Sequence, residues 1–245
     1  MSGWFFPEDS LSPLPMNETL FQALALILPL VFAIVFHEVA HGYAAKLLGD
    51  TTAQDMRRLS LNPLRHVDLF GTIILPGLLR LSGGPVFGWA KPVPVNKWRL
   101  RNPRKGMMVV AAAGPATNLV LAFLAAVGLG MLARAFPGTA EMPLPWLFLA
   151  ANLMNFLLIN IFLAFFNLLP LPPFDGSHIV EGLLPRSAAK IYARLRPYGF
   201  PLLFLLLLVI PYVFPGLGIV ERLVLPPVDW MTAHYLEIAK AIAGS

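Results

Sequence analysis

The sequence predicts an all-α polytopic membrane protein, with about four transmembrane helices and a re-entrant or β-hairpin segment around residues 69–96. Of its 245 residues, 57% are hydrophobic and only 13% are charged, whereas charged residues make up about a quarter of an average soluble domain. Four apolar stretches each approach the roughly 20 residues that a helix needs to cross the hydrocarbon core of a bilayer. These stretches cover residues 20–48, 107–136, 146–169 and 200–220.

A fifth apolar run, at residues 69–89, has a different composition. It is interrupted by turn-forming and charged residues, namely Pro76, Gly77, Arg80, Gly83, Gly84, Pro85 and Gly88. Irregular backbone is tolerated at membrane depth only where protein shields it from lipid. The run therefore predicts a re-entrant or hairpin segment, and the sequence leaves open whether residues 69–81 cross the membrane.

The positive charge is concentrated in two segments. Residues 46–106 carry 11 and residues 186–196 carry 4 of the 18 Lys and Arg residues. Because cytoplasmic loops are enriched in Lys and Arg, we expect residues 49–106 and 171–199 inside, and the N-terminus, residues 137–145 and the C-terminus outside. Attraction of these residues to anionic headgroups predicts the same side. The distribution gives no indication of nucleic-acid binding, despite a formal charge of +5.

The first apolar stretch ends in an H-E-x-x-H sequence that contains His37, Glu38 and His41. On a helix, the two histidines lie one turn apart on the same face, where both imidazoles can bind one zinc ion. Glu38 lies next to the first ligand and can accept a proton from a metal-bound water. Ionisable residues in a membrane helix are costly and usually mark a functional site. The structural alternative is a helix end that dips into water.

Two histidines leave a catalytic zinc site one protein ligand short, because such sites usually have three. The chain contains no cysteine, so a further ligand must be a histidine or a carboxylate. Asp175 follows three prolines at the end of the third apolar stretch and is the only carboxylate between Glu141 and Glu181. In the predicted orientation the first and third helices both begin outside, so we expect His41 and Asp175 at the same depth.

Residues 167–176 read N-L-L-P-L-P-P-F-D-G, and together with H-E-x-x-H they resemble the paired motifs of the site-2 protease family of intramembrane zinc metalloproteases. The chain is similar to the short bacterial or archaeal branch of that family, which lacks PDZ and CBS domains. Three further motifs of that branch also occur in the chain: L-N-P-L-x-H-x-D at residues 61–68, G-W-A-K-P-V-P-V-N at residues 88–96 and A-G-P-x-x-N at residues 113–118. The resemblance implies one Zn²⁺ per chain, with His37, His41 and Asp175 as ligands and Glu38 as the general base.

The predicted function is hydrolysis of peptide bonds in transmembrane or membrane-adjacent substrates, near the cytoplasmic face of a prokaryotic cell membrane. We expect an extracytoplasmic segment at residues 1–19, a metalloprotease core at 20–185, and a C-terminal transmembrane helix with a polar tail at 186–245. A metal transporter is one alternative, although the polar groups cluster at one depth. An inactive peptide-binding relative is another, although it would not need Glu38. The sequence identifies neither the substrate nor the oligomeric state.

Five weaker candidates each have a structural alternative. Asn118 and Asn167 can donate a hydrogen bond to the oxyanion of the reaction, or they can join helices, as polar residues in membranes often do. His66 and Asp68 indicate either a second metal site or a polar loop. His178 can hydrogen-bond the third ligand from one helical turn away, but as a fourth protein ligand it would leave no place for water.

The segment at residues 88–96 is a candidate for substrate recognition. Its alternating valines and prolines are typical of an edge strand, and such an edge can pair with an unwound substrate. An ordinary extended connection is the alternative. The residues concerned are Gly88, Trp89, Val93 and Val95.

Overall fold

The computed structural model describes residues 18–74, 78, 90–137, 142–214, 218 and 220–244. Within these residues the regular structure is helical, with no β-strand. The described residues contain nine α-helices: α1 (Glu18–Leu47), α2 (Thr52–Asp55), α3 (Pro103–Ala135), α4 (Leu144–Asn167), α5 (Asp175–Leu183), α6 (Arg186–Tyr192), α7 (Gly199–Phe204), α8 (Ile210–Val213) and α9 (Leu225–Ala243). Three 3-10 turns lie at Pro63–Arg65, Lys97–Arg99 and Ala193–Tyr198, and three π-helical turns at Leu69–Ile74, Leu205–Val209 and Val220–Val224.

Helices α1, α3 and α4 are long and apolar enough to cross a membrane. They contain 30, 33 and 24 residues, and a rise of about 1.5 Å per residue makes each longer than the roughly 30 Å of hydrocarbon. Apolar side chains on α1 are open to the surroundings, since Leu26 and Ile27 are each 51% exposed. Such a surface suits lipid better than water. The prediction of an all-α membrane protein is confirmed.

The fourth apolar stretch, predicted at residues 200–220, is divided into shorter pieces. Helix α7, the π-helical turn Leu205–Val209 and helix α8 follow one another up to Val213. None of these pieces alone is long enough to cross a membrane. Residues 215–217 and 219 lie outside the described residues, so a crossing at this stretch stays a prediction.

The segment predicted as re-entrant or hairpin begins with the π-helical turn Leu69–Ile74 and ends with an extended run at residues 90–96. The extended run has no strand partner in the part of the chain that the structure describes. Residues 75–77 and 79–89 lie outside that part. A re-entrant path for the segment stays a prediction.

The chain divides into two compact units. One contains the described residues up to Ala33, together with Asn118–Phe166 and those from Ile210 onward. The other contains Ile34–Thr117 and Asn167–Val209. All residues of the predicted metal site belong to this second unit.

Amide side chains join the apolar helices of the first unit. Asn118 in α3 donates its Nδ2 to Asn160 Oδ1 in α4 at 2.6 Å. Asn155 in α4 donates its Nδ2 to the carbonyl oxygen of Ala25 in α1 at 2.8 Å. Hydrogen bonds of this kind stabilise helix pairs in membranes, where apolar surfaces alone give little driving force.

In the second unit, the buried carboxylate of Asp50 connects the end of α1 to the extended run at residues 90–96. It accepts the N–H of Thr52 at 3.0 Å and the N–H of Asn96 at 2.6 Å. Burial, the largest influence, would raise the pKa of Asp50, but hydrogen bonds from Thr52 and Asn96 and the charge of Arg99 together lower it. Asp50 is therefore ionised at neutral pH and holds the run in place.

Candidate metal centre

The imidazoles of His37 and His41 meet on one face of α1. Residues four apart on a helix lie one above the other, and here the two Nε2 atoms are 3.0 Å apart. Both residues are buried, with 7% and 8% of their surfaces exposed. The H-E-x-x-H spacing therefore brings two candidate nitrogen ligands to one protected point.

Asp175 reaches the same point because a turn at residues 168–174 separates α4 from α5, which begins at Asp175. Its Oδ2 lies 3.2 Å from the Nε2 of His37 and 3.2 Å from the Nε2 of His41. The next residue, Gly176, is packed against carbonyl oxygens of the turn, where any Cβ would collide with backbone. Gly176 thus allows the close packing of the turn that positions Asp175, the third candidate ligand.

Helix α3 closes the site from another side through Gly114. A Cβ at this position would lie 2.5 Å from His41 Nε2 and 2.6 Å from His37 Cε1. Any larger residue at position 114 would displace the imidazoles, so a glycine is needed there. The A-G-P-x-x-N motif contains this glycine, but its spacing alone does not show that the residue faces the histidines.

The three converging atoms fit a metal ion. His41 Nδ1 lies 2.7 Å from the carbonyl oxygen of Val110; because a carbonyl only accepts, Nδ1 carries the proton and Nε2 presents a lone pair. Asp175 Oδ2 is buried without a hydrogen-bond donor. Acceptors that face one another repel unless a cation lies between them.

The distances agree with a tetrahedral zinc site. Ligand atoms at about 2.0–2.1 Å from zinc lie roughly 3.3 Å apart, and the observed separations are 3.0 and 3.2 Å. Among the described residues, His37, His41 and Asp175 form the one group of potential metal ligands.

Glu38 is held beside this group by the backbone. Its Oε2 accepts the N–H of Val93 at 2.7 Å. Val93 belongs to the extended run that Asp50 connects to α1 through the N–H of Asn96. Asp50 therefore holds the extended run in place, and the run in turn orients the carboxylate of Glu38 beside the histidines.

The sequence profile of peptidase family M50 matches residues 25–210, a range that includes the three candidate ligands and Glu38. The chain belongs to this family. The resemblance to site-2 proteases is thereby confirmed, and as an M50 peptidase the protein is a zinc metalloprotease with Zn²⁺ as its cofactor. Family membership and the three long apolar helices together indicate an integral membrane protein.

Three relatives of this M50 peptidase bear the name "Putative zinc metalloprotease". YwhC of Bacillus subtilis is 40% identical over 194 residues, which cover 76% of this chain and 80% of the relative. Rip2 of Mycolicibacterium smegmatis is 30% identical over 178 residues, covering 73% of this chain and 64% of the relative. MJ0611 of Methanocaldococcus jannaschii is 30% identical over 164 residues, which cover 66% of this chain and 73% of the relative. No solved structure matches the chain.

The two asparagines predicted as oxyanion donors have different surroundings in the M50 peptidase. Asn118 is fully buried and donates to Asn160 in the first unit, which supports the interpretation that it joins helices. Asn167 is the last residue of α4, directly before the turn that leads to Asp175, and it is partly exposed. A role in stabilising the oxyanion stays a prediction for both.

The segment predicted to pair with substrate is only partly described. Gly88 and Trp89 lie outside the described residues, Val95 is partly exposed, and Val93 is buried. The N–H of Lys91 donates to the carbonyl oxygen of His66, and the N–H of Val93 donates to Glu38. The neighbouring prolines have no N–H to donate. These donors are therefore already used, and pairing with a substrate stays a prediction.

His66 and Asp68 stabilise a polar loop. His66 Nε2 lies 2.8 Å from the carbonyl oxygen of Ser60, and Asp68 Oδ1 accepts a backbone N–H three residues along the chain at 2.7 Å. Within the described residues they form no second group of metal ligands, in agreement with the polar-loop alternative. His178 Nδ1 lies 3.3 Å from Arg196 Nη2, so its described hydrogen-bond partner is an arginine.

Proposed function

We propose that this zinc metalloprotease hydrolyses peptide bonds of transmembrane or membrane-adjacent substrates near the cytoplasmic face of a cell membrane. The proposal is supported by the convergence of three potential metal-ligand atoms beside Glu38. Two of them, from His37 and His41, lie on α1, which is apolar and long enough to cross a bilayer. Peptide bonds that reach this site must lie within or beside the membrane.

The chain's own groups have distinct roles in the proposed reaction. His37, His41 and Asp175 would hold zinc, and the bound ion would supply Lewis-acid activation of water at neutral pH. Glu38 accepts the proton of the attacking water and returns it to the leaving amine. The N–H of Val93 keeps the Glu38 carboxylate oriented during both transfers.

Substrate helices must unwind before they are cleaved. Each carbonyl in a helix accepts a hydrogen bond from the N–H four residues later, so the scissile carbonyl is inaccessible until that bond breaks. Helix-breaking residues near the cleavage site should therefore increase the rate of hydrolysis.

The predicted orientation rests on the two segments that carry 15 of the 18 cationic residues and is tested with reporter fusions. A reporter after Ser245 should behave as extracytoplasmic, and one inserted near Arg101 as cytoplasmic, because Lys-rich and Arg-rich loops are retained inside. The opposite pattern would reverse the topology and place the active site at the other face.

Metal analysis combined with a cleavage assay tests the ligand set. Purified wild type should contain about one zinc per chain and cleave a membrane-derived peptide in detergent, whereas Asp175→Ala should lose both, because a catalytic zinc site needs about three protein ligands. Asp68→Ala is the matched control, since Asp68 is a carboxylate outside the group of candidate metal ligands, and it should retain both properties.

The remaining outcomes separate the alternatives. Zinc in wild type without cleavage would favour a metal transporter or an inactive peptide-binding protein. Full zinc content in Asp175→Ala would show that the third ligand is assigned to the wrong residue.

A further inference from the structure

A cavity of about 330 Å³ lies in the second unit, and none of the candidate metal ligands belongs to its lining. Its walls come from the 3-10 turn Lys97–Arg99, the first residues of α3, and helices α5 and α6 with the turn that follows. This volume is at the lower end of the roughly 300–1,000 Å³ typical of small-molecule sites. The cavity is therefore large enough to accept a charged headgroup or a small anion.

The lining of the cavity is strongly cationic. Among the described residues that line it, five are cations and Glu181 is the single carboxylate, so their formal charges sum to +4. The five are Lys97, Arg104, Arg186, Lys190 and Arg196.

Little of this charge is neutralised by the protein. Arg196 forms an ion pair with Glu181, whereas Arg104 donates to backbone carbonyl oxygens at the end of α5 at 3.0 and 3.1 Å. In the part of the chain that the structure describes, Arg186 and Lys190 form no ion pair, and both are exposed at the mouth of the cavity. An anion can therefore meet at least two cations that have no carboxylate partner.

His178 in the cavity wall has a lowered pKa. Burial lowers the pKa of His178, and the neighbouring charges of Arg196 and Lys97 lower it further. His178 is consequently neutral at neutral pH and leaves the cationic charge to the Lys and Arg side chains.

Apolar groups lie beside the cations. Trp98 is 76% exposed, and its ring lies 4.8 Å from the Nζ of Lys97. The other apolar lining residues include Met107, Ala189 and Ala193. Tryptophan favours the membrane–water interface, and basic pockets on membrane proteins bind anionic lipid headgroups. A ligand with an anionic head and an apolar body matches both parts of the lining.

We propose that this cavity binds an anionic phosphate group, supplied either by the headgroup of a membrane phospholipid or by a soluble phosphate. Lys and Arg bind phosphate oxygens through charge-assisted hydrogen bonds. The lining residues His178, Glu181 and Gly182 belong to α5, so an occupant would also stabilise the helix that begins at Asp175. The proposal goes beyond peptide hydrolysis, and its test needs no substrate.

Thermal unfolding of the purified full chain in neutral detergent gives a direct readout of binding. The protein is titrated separately with short-chain phosphatidylglycerol, short-chain phosphatidylcholine and inorganic phosphate. The test variant Arg186→Gln/Lys190→Gln removes two exposed cations of the lining. The control variant Lys105→Gln/Arg194→Gln removes two exposed cations that do not line the cavity.

Phosphatidylglycerol should raise the unfolding temperature saturably, and phosphatidylcholine should do so far less. The apparent dissociation constant should rise roughly 25-fold in the test variant, about fivefold for each cation lost, and by less than about twofold in the control. The same residue dependence with inorganic phosphate would support the site with a soluble anion as its source. Equal losses in the two variants would indicate diffuse surface charge and overturn the proposal, as would the absence of any saturable shift.

Discussion

Both compact units of the molecule contain buried polar groups among apolar helices, but these groups are arranged differently. In the first unit, the Nδ2 donor of Asn118 meets the Oδ1 acceptor of Asn160 at 2.6 Å. In the second unit, the Nε2 atoms of His37 and His41 and the Oδ2 of Asp175 converge at 3.0 to 3.2 Å. There three potential metal-ligand atoms converge on one point.

This difference distinguishes a structural polar group from a ligand-binding one. A donor and an acceptor satisfy each other and stabilise the helix pair without any further molecule. Converging acceptors are stable only when a cation occupies the space between them, because buried polar groups without partners are costly. The distinction does not depend on residue type, since polar side chains occur in both units.

Crowding the candidate metal site should have a larger effect than removing a hydrogen bond between helices. A methyl at Gly114 would overlap His41 and His37, and overpacking typically costs about 1–3 kcal/mol. If that cost falls on the ligand geometry, zinc affinity should drop roughly 5- to 150-fold in Gly114→Ala, as measured by competition with a chelator. Gly128→Ala is the control in the same helix, because the added Cβ would lie 3.2 Å from the flexible end of Leu153. Equal losses of affinity would mean that α3 as a whole is disturbed.

Removing the Asn118 side chain, whose donor already has an acceptor in Asn160, should have a smaller effect, and this effect should be on stability. Asn118→Ala should lower the free energy of unfolding by about 0.6–1.7 kcal/mol, the range for hydrogen bonds between membrane helices, with turnover per bound zinc unchanged. The coupling between Asn118 and Asn160 is measured by a double-mutant cycle. A loss of about 10²- to 10³-fold in kcat at unchanged stability would instead assign Asn118 to the oxyanion.

The candidate metal ligands are predictable from the sequence. Helical periodicity places His37 and His41 on one face. The resemblance to site-2 proteases implies Asp175, which is the only carboxylate between Glu141 and Glu181. The all-α fold is likewise predictable, because long apolar stretches leave few other structures possible in a bilayer.

Contacts between distant parts of the chain are not predictable from those local features. The bond between Glu38 and Val93 joins residues 55 positions apart, and it depends on the path of the chain after α1. The pattern of valines and prolines at residues 88–96 does not indicate that the N–H of Val93 is donated to Glu38. The approach of Gly114 to the histidines likewise depends on how α3 packs.

The substitution Glu38→Gln tests directly whether Glu38 is the general base and not a metal ligand. The amide oxygen can still accept the N–H of Val93, but the group can no longer act as a base. Zinc content and peptide hydrolysis are measured on the same preparation. We expect near-stoichiometric zinc, an unchanged unfolding temperature and a rate reduced by about 10²- to 10⁴-fold, the usual contribution of a general base. Loss of zinc as complete as in His37→Ala would contradict the assigned roles, and hydrolysis at the wild-type rate would contradict the mechanism itself.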